Sequence, residues 1–92
     1  MRITVKLLCE KGACAAQVET FAKLWPKGCT VSLSVARRAL AAGLDLQWAA
    51  SNLLCATARK VYAAAMAEAD KVYAAAMAEA FAAACRLHDK EA

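Results

Sequence analysis

Residues 60–70 and 71–81 carry nearly the same eleven letters twice, with no residue between the two copies. The copies read KVYAAAMAEAD and KVYAAAMAEAF and differ only at their last position. An eleven-residue period corresponds to three turns of α-helix at about 3.67 residues per turn, so each side chain returns to nearly the same face one copy later. The repeat therefore predicts a long, regular helix that presents one stripe of side chains twice.

The predicted helix extends beyond the repeat on both sides. From Leu46 to Leu87 the chain contains neither proline nor glycine, the two residues that fit a helix interior least well. Unbroken, this helix is about 60 Å long, because each residue advances it by 1.5 Å. A break near Ser51-Asn52 or Thr57 is the alternative, although no residue there requires one.

The apolar stripe of such a helix is longer than the first 43 residues can cover. Exposed apolar surface of this extent usually marks an interface, and the alanines beside it let a partner helix approach closely. We therefore expect four side chains to bind between molecules, either to a second copy of the chain or to a target protein: Tyr62, Met66, Tyr73 and Met77. The competing interpretation is that the chain folds back and buries them as core residues.

Short helices are predicted before the long one. The first runs from about Ala13 to Leu24, where apolar residues recur on one helical face, and it ends before Pro26 because the residue preceding a proline avoids the helical region. The second begins after Ser32, a preferred N-cap, and ends near Gly43, which suits a left-handed C-terminal cap. Asp45 then caps the start of the long helix.

Apolar and polar residues alternate in two further segments, at Ile3, Val5 and Leu7 and at Val31, Leu33 and Val35. This alternation is typical of short strands, and the two can pair as a minimal ribbon that depends on the helices for stability. The expected fold is all-α, a single domain over residues 1–92. In it, short N-terminal helices pack on one long C-terminal helix, and the ribbon is an optional addition.

Charge divides the chain into a basic part, residues 1–43, and a nearly neutral part, residues 44–92. The first holds seven Lys or Arg against two Glu, and the second holds five against six Asp or Glu. Arg37 and Arg38 lie opposite the apolar face of their predicted helix, so we expect them to be exposed and able to meet an acidic protein or a nucleic-acid backbone. A merely solvated basic surface is the simpler interpretation.

No residue pattern indicates catalysis, a metal or a cofactor. The five cysteines are an odd number, without the paired short spacing of a zinc site, and we interpret them as small buried hydrophobes in a reducing compartment. Cys85 and His88 share a helix face, but a terminal helix offers no oxyanion hole. Glu68 and Glu79 are too far apart on one helix to act as a pair. The chain is therefore expected not to be an enzyme.

A helix-turn-helix that reads DNA is a weaker possibility. The helix after Gly43 would be the reading helix, and it offers Gln47, Ser51 and Asn52 but no arginine or lysine. Base and phosphate contacts favour more basic side chains at such positions.

The location expected from the sequence is the cytoplasm. No apolar run reaches the roughly 18 residues of a membrane span, and the opening MRITVKLLCEKG is too short and too charged for a secretory signal.

From Trp25 to Phe81, about two thirds of the chain, the sequence resembles small phage and prophage proteins of uncharacterised role. These share an F-P-x-G turn, a G-x-D-x-x-W-A-A-x-x-L-L segment and tandem A-E-Y-like repeats. The matching positions here are Trp25-Pro26-Lys27-Gly28, Gly43 to Leu54, Tyr62 and Tyr73. The repeat departs from the family pattern, because Asp-Lys-Val separates its acidic residue from its tyrosine.

The resemblance implies a mobile-element accessory protein in the cytoplasm of a bacterial host, and it supplies no catalytic residues. Small proteins of that class often occupy a host protein's surface, as anti-CRISPR proteins do, which is an analogy of class rather than of site. The expected function is thus a non-enzymatic module that binds and inhibits a host protein. The alternative is a nucleic-acid-binding accessory that uses the basic residues 1–43.

Overall fold

The computed structural model of the protein describes residues 1–68 and 73–91 and, within them, all side chains except those of 68 and 73–75. Its elements in chain order are β1 (Arg2–Ile3), α1 (Val5–Glu10), α2 (Ala15–Leu24), β2 (Cys29–Thr30), α3 (Leu33–Ala41), α4 (Leu46–Leu53), α5 (Ala56–Glu68) and α6 (Tyr73–Glu91). The predicted all-α class is confirmed, with a long C-terminal helix packed against shorter ones and a small antiparallel ribbon.

The ribbon is shorter than the alternation of apolar residues predicted. Only two residue pairs form it, Arg2 with Thr30 and Ile3 with Cys29. The chain turns into α1 directly afterwards, because the Thr4 hydroxyl accepts a hydrogen bond from the Leu7 backbone N–H at 3.1 Å and caps the helix. Val5 and Leu7, predicted in a strand, are therefore helical, as are Leu33 and Val35 in α3.

Helices α2 and α3 begin and end close to their predicted signals, and α4 begins at its predicted cap. The Ser32 hydroxyl accepts a hydrogen bond from the Val35 N–H at 3.3 Å, and the Asp45 carboxylate accepts one from the Trp48 N–H at 2.9 Å. Each cap satisfies one of the backbone donors that a helix start leaves free. Gly43 has the predicted left-handed conformation, with a φ of 85°.

The prediction of one unbroken helix from Leu46 onward is wrong. Leu54 is extended, with φ −88° and ψ 149°, and it ends α4 one residue before Cys55. The break lies between the two positions considered from the sequence, Ser51-Asn52 and Thr57. It lacks the proline or glycine that ordinarily marks such a point.

After the break, α5 and α6 pack side by side and run antiparallel. The backbone N–H of Cys55, before α5, donates a hydrogen bond at 2.9 Å to Nδ1 of His88 near the end of α6. Further along, the Tyr62 and Phe81 rings meet edge to face with centroids 6.4 Å apart. This pairing buries apolar side chains that a rod would leave exposed, and each buried large side chain contributes roughly 1.5–3 kcal/mol. The free energy gained by this burial explains why the helix breaks at Leu54, although no residue there requires a break.

The core is centred on α6, which packs against α3, α4 and α5. Phe81 and Cys85 are its largest fully buried side chains. The described part of the chain measures 33 × 29 × 21 Å, too short for a 60 Å helix. None of its helices combines the length and apolar character that spanning a bilayer requires.

Candidate protein-interaction surface

Of the four repeat residues predicted to bind a partner, two lie in the core. Tyr62 is 3% exposed and Met77 is 9% exposed, which corrects the expectation of an exposed stripe. The Tyr62 hydroxyl also lies 3.4 Å from the Gln47 side-chain oxygen, to which it donates. Met66 is half-buried and packs against the same core. The side chain of Tyr73 falls outside the described residues.

The two repeat copies occupy different environments although their sequences nearly coincide. Ala78 in the second copy is 0% exposed, whereas its counterpart Ala67 in the first copy is exposed. The difference arises because α6 is surrounded by three helices while α5 lies at the edge of the bundle. Alanine permits both outcomes, since it is a strong helix former that loses little when it remains in water.

One side of α5 is therefore left uncovered, and we call it the α5 outer face. Buried or half-buried residues recur on the inner side at Ala58, Tyr62 and Met66, four residues apart. The outer face consists of Lys60, Val61, Ala63, Ala64 and Ala67, all exposed. Val61, at 41%, is the one large apolar residue that is exposed among the described residues.

The two arginines of α3 lie where the sequence predicted, exposed to solvent. The Arg37 guanidinium is 3.7 Å from the carboxylate of Glu79, which belongs to the second repeat copy in α6. Both side chains are more than half exposed, so solvent screening leaves the pair worth about 0–1 kcal/mol. Arg38 forms no ion pair with any described residue and is the more available cation.

The cysteines divide into buried and exposed groups. Cys29 and Cys85 are buried, whereas Cys9 and Cys14 are exposed and Cys55 is half-buried. The expectation of five buried cysteines is thus corrected for three of them, which lie at helix ends or beside a helix start.

Cys85 and His88, the two residues weighed as nucleophile and base, make separate contacts. Desolvation raises the pKa of the Cys85 thiol to about 12, which disfavours the reactive thiolate. His88 is engaged elsewhere, since its Nδ1 accepts the Cys55 N–H. This role of His88 could not be predicted from the sequence, because Cys55 and His88 come together only when α5 pairs with α6. The described residues also contain no group of three or more His, Cys, Asp or Glu placed to hold a metal ion.

No protein-family model, curated protein or solved structure matches the chain. The resemblance to phage proteins consequently stays a prediction.

Proposed function

We propose that this chain is a non-enzymatic interaction module that binds and inhibits a host protein through the α5 outer face, as anti-CRISPR proteins do by analogy. The supporting observation is Val61, 41% exposed on a helix side that no other described element covers. Ala64 lies next to it on the helix surface, three residues further on, and Ala67 follows Ala64 at the same spacing, so the three form a ridge of exposed side chains. A partner backbone can approach such a surface closely and gain contact along its length.

The charges near this face define the partner's chemistry. Lys60 lies on the face and Arg59 lies beside it, and both are exposed. A partner with an apolar helical stripe bordered by carboxylates would contact Val61 and the alanines and meet the two cations at the rim. Interfaces commonly combine an apolar centre with a polar rim in this way. Ala58 and Tyr62, at 0% and 3% exposure, fix the orientation of α5 and so present its outer face rigidly.

The proposal can be tested by affinity capture from a bacterial host lysate with matched variants. Ala64→Arg places a long charged side chain at the centre of the α5 outer face. Ala41→Arg makes the same change at an exposed alanine of α3. We expect the wild type and Ala41→Arg to retain the same host protein, and Ala64→Arg to lose at least tenfold in its recovery. Equal recovery by both variants would remove the α5 outer face as the binding site.

Inhibition requires its own readout. Once the captured protein is identified, its activity should fall with added wild-type chain and with Ala41→Arg, and should be unchanged by Ala64→Arg. Both variants should melt like the wild type, because the substituted positions are exposed. A partner that binds normally but keeps full activity would contradict the inhibitory part of the proposal.

The second candidate is nucleic-acid binding by the basic residues 1–43. It draws support from Arg38, which is exposed and without an ion pair among the described residues. Binding of this kind weakens steeply between 50 and 200 mM salt, because phosphate contacts release counterions. Labelled DNA or RNA that binds the wild type at low salt, but not the double variant Arg37→Glu and Arg38→Glu, would favour it over the α5 outer face.

A further inference from the structure

We propose that the protein binds a small, neutral, apolar molecule, about the size of one aromatic ring, in a cavity between α2, α3 and α4. This site is separate from the α5 outer face and does not depend on the proposed function. The cavity offers ≈ 60 Å³ to the centre of a water-sized sphere. A single water needs about 10–15 Å³ on the same measure, so the space is several times larger.

Aromatic side chains and buried alanines line this space together. Phe21 and Trp25 of the α2 region line it, with ring centroids 5.3 Å apart and planes tilted by 53°. Ala36 and Ala39 of α3 and Ala49 of α4 also line it, and they are 1%, 5% and 8% exposed. Native cores are close-packed with few voids larger than a water molecule. Three buried alanines in the same lining as the aromatic rings therefore leave an unfilled volume that a ligand can occupy.

The Gln17 amide and the Asp45 carboxylate, which are part of the lining, are already hydrogen-bonded within the protein. The Gln17 amide donates to the Gly43 carbonyl at 3.2 Å, and its oxygen accepts the Asp45 N–H at 2.8 Å. The Asp45 carboxylate accepts the Trp48 N–H at 2.9 Å. The pocket is partly open to solvent, but the surface it exposes is almost entirely apolar, so water there would find few partners and an apolar molecule is favoured. The Asp45 carboxylate also disfavours an anion, so the ligand is neutral.

Toluene and benzoate provide matched probes, because both carry one aromatic ring and only benzoate is charged. Trp25 and Trp48 both line the cavity and are the chain's two tryptophans, so intrinsic fluorescence reports occupancy directly. We expect toluene to give a saturable fluorescence change and benzoate to give none at equal concentration. At ten times its Kd, toluene should raise Tm by roughly 6–11 °C, because it binds only the folded chain.

Two substitutions should remove the site. Ala39→Leu adds a branched side chain to the cavity, and Ala49→Val fills it from α4 by a smaller amount should the first variant fail to fold. Ala41→Leu, at an exposed position of the same helix as Ala39, is the control. A filled variant should lose the toluene response at least tenfold in apparent affinity, and the control should keep it.

Two results would overturn the proposed ligand site. A wild type with no saturable fluorescence change and no rise in Tm would overturn the proposal. So would a folded Ala39→Leu or Ala49→Val that responds to toluene as the wild type does, since binding would then lie elsewhere. Loss of host-protein capture in Ala64→Arg with an intact toluene response would separate the two sites.

Discussion

The last residue of the repeat is where its two copies differ, with Asp70 in the first and Phe81 in the second. Phe81 is 2% exposed and contacts Tyr62 of the first copy edge to face. The two copies therefore do not present the same surface, because the second copy has the core residue Phe81 where the first has the charged residue Asp70. Asp70 itself lies outside the described residues.

Replacing Phe81 should be among the most damaging single changes in the chain. We expect Phe81→Ala to lower the free energy of unfolding by about 3–5 kcal/mol, because it removes a fully buried ring and leaves a cavity. Val61→Ala, at the exposed side of α5, should stay within about 0.5 kcal/mol of the wild type. Urea unfolding followed by circular dichroism measures both. Similar losses in the two variants would mean that the α5–α6 contact is not formed.

Burial of the Cys85 thiol makes the stability depend on alkaline pH. Desolvation raises its pKa from the ordinary 9.0 to about 12, so the folded state holds a proton that the unfolded state releases first. The stabilisation is therefore fully present below pH 9 and is lost as pH rises from 9 towards 12, amounting to about 2–3 kcal/mol by pH 11. Urea midpoints between pH 8 and 11 should fall more steeply for the wild type than for Cys85→Ala. Parallel curves for the two proteins would show that this thiol is not buried.

At the scale of elements, local signals set the helix boundaries but not the way helices pair. Ser32, Gly43 and Asp45 act through neighbours in sequence, so their capping roles could be predicted. The break at Leu54 has no such local cause. We attribute the break to contacts with His88 and Phe81 of α6. These residues reach Cys55 and Tyr62 only when α6 folds back along α5. A repeat with helical period is compatible with either a rod or a hairpin, and the sequence alone favours the rod.

The His88 hydrogen bond should stabilise the start of α5. In His88→Ala the Cys55 N–H loses its acceptor, and a partly buried donor without a partner costs about 1–3 kcal/mol. His88→Asn places an amide oxygen near the position of Nδ1 and should recover part of that loss. Amide hydrogen exchange at Cys55, read by NMR, should accelerate in the alanine variant and less in the asparagine variant. Unchanged exchange in both would contradict this contact.

For the whole molecule, pairing α5 with α6 changes which surface is available to a partner. A single rod would expose both copies of the apolar stripe. The hairpin of α5 and α6 instead buries Tyr62 and Met77, and only the α5 outer face stays exposed on α5. The sequence predicted a binding surface in the repeat, but it could not distinguish the inner side of α5 from the outer side. Which side of α5 is buried depends on the packing of α6 against three other helices. This packing is a non-local property, and an alanine-rich sequence gives almost no indication of it.

The distance between Thr57 and Arg86 tests the hairpin most directly. Both residues are exposed and can carry spin labels on unnatural amino acids, so that the native cysteines stay in place. Dilution with unlabelled protein removes distances between molecules. The antiparallel pairing predicts a distribution centred below roughly 25 Å, since packed helix axes lie about 8–10 Å apart. A distribution centred near 44 Å, the separation along one continuous helix at 1.5 Å per residue, would contradict the account.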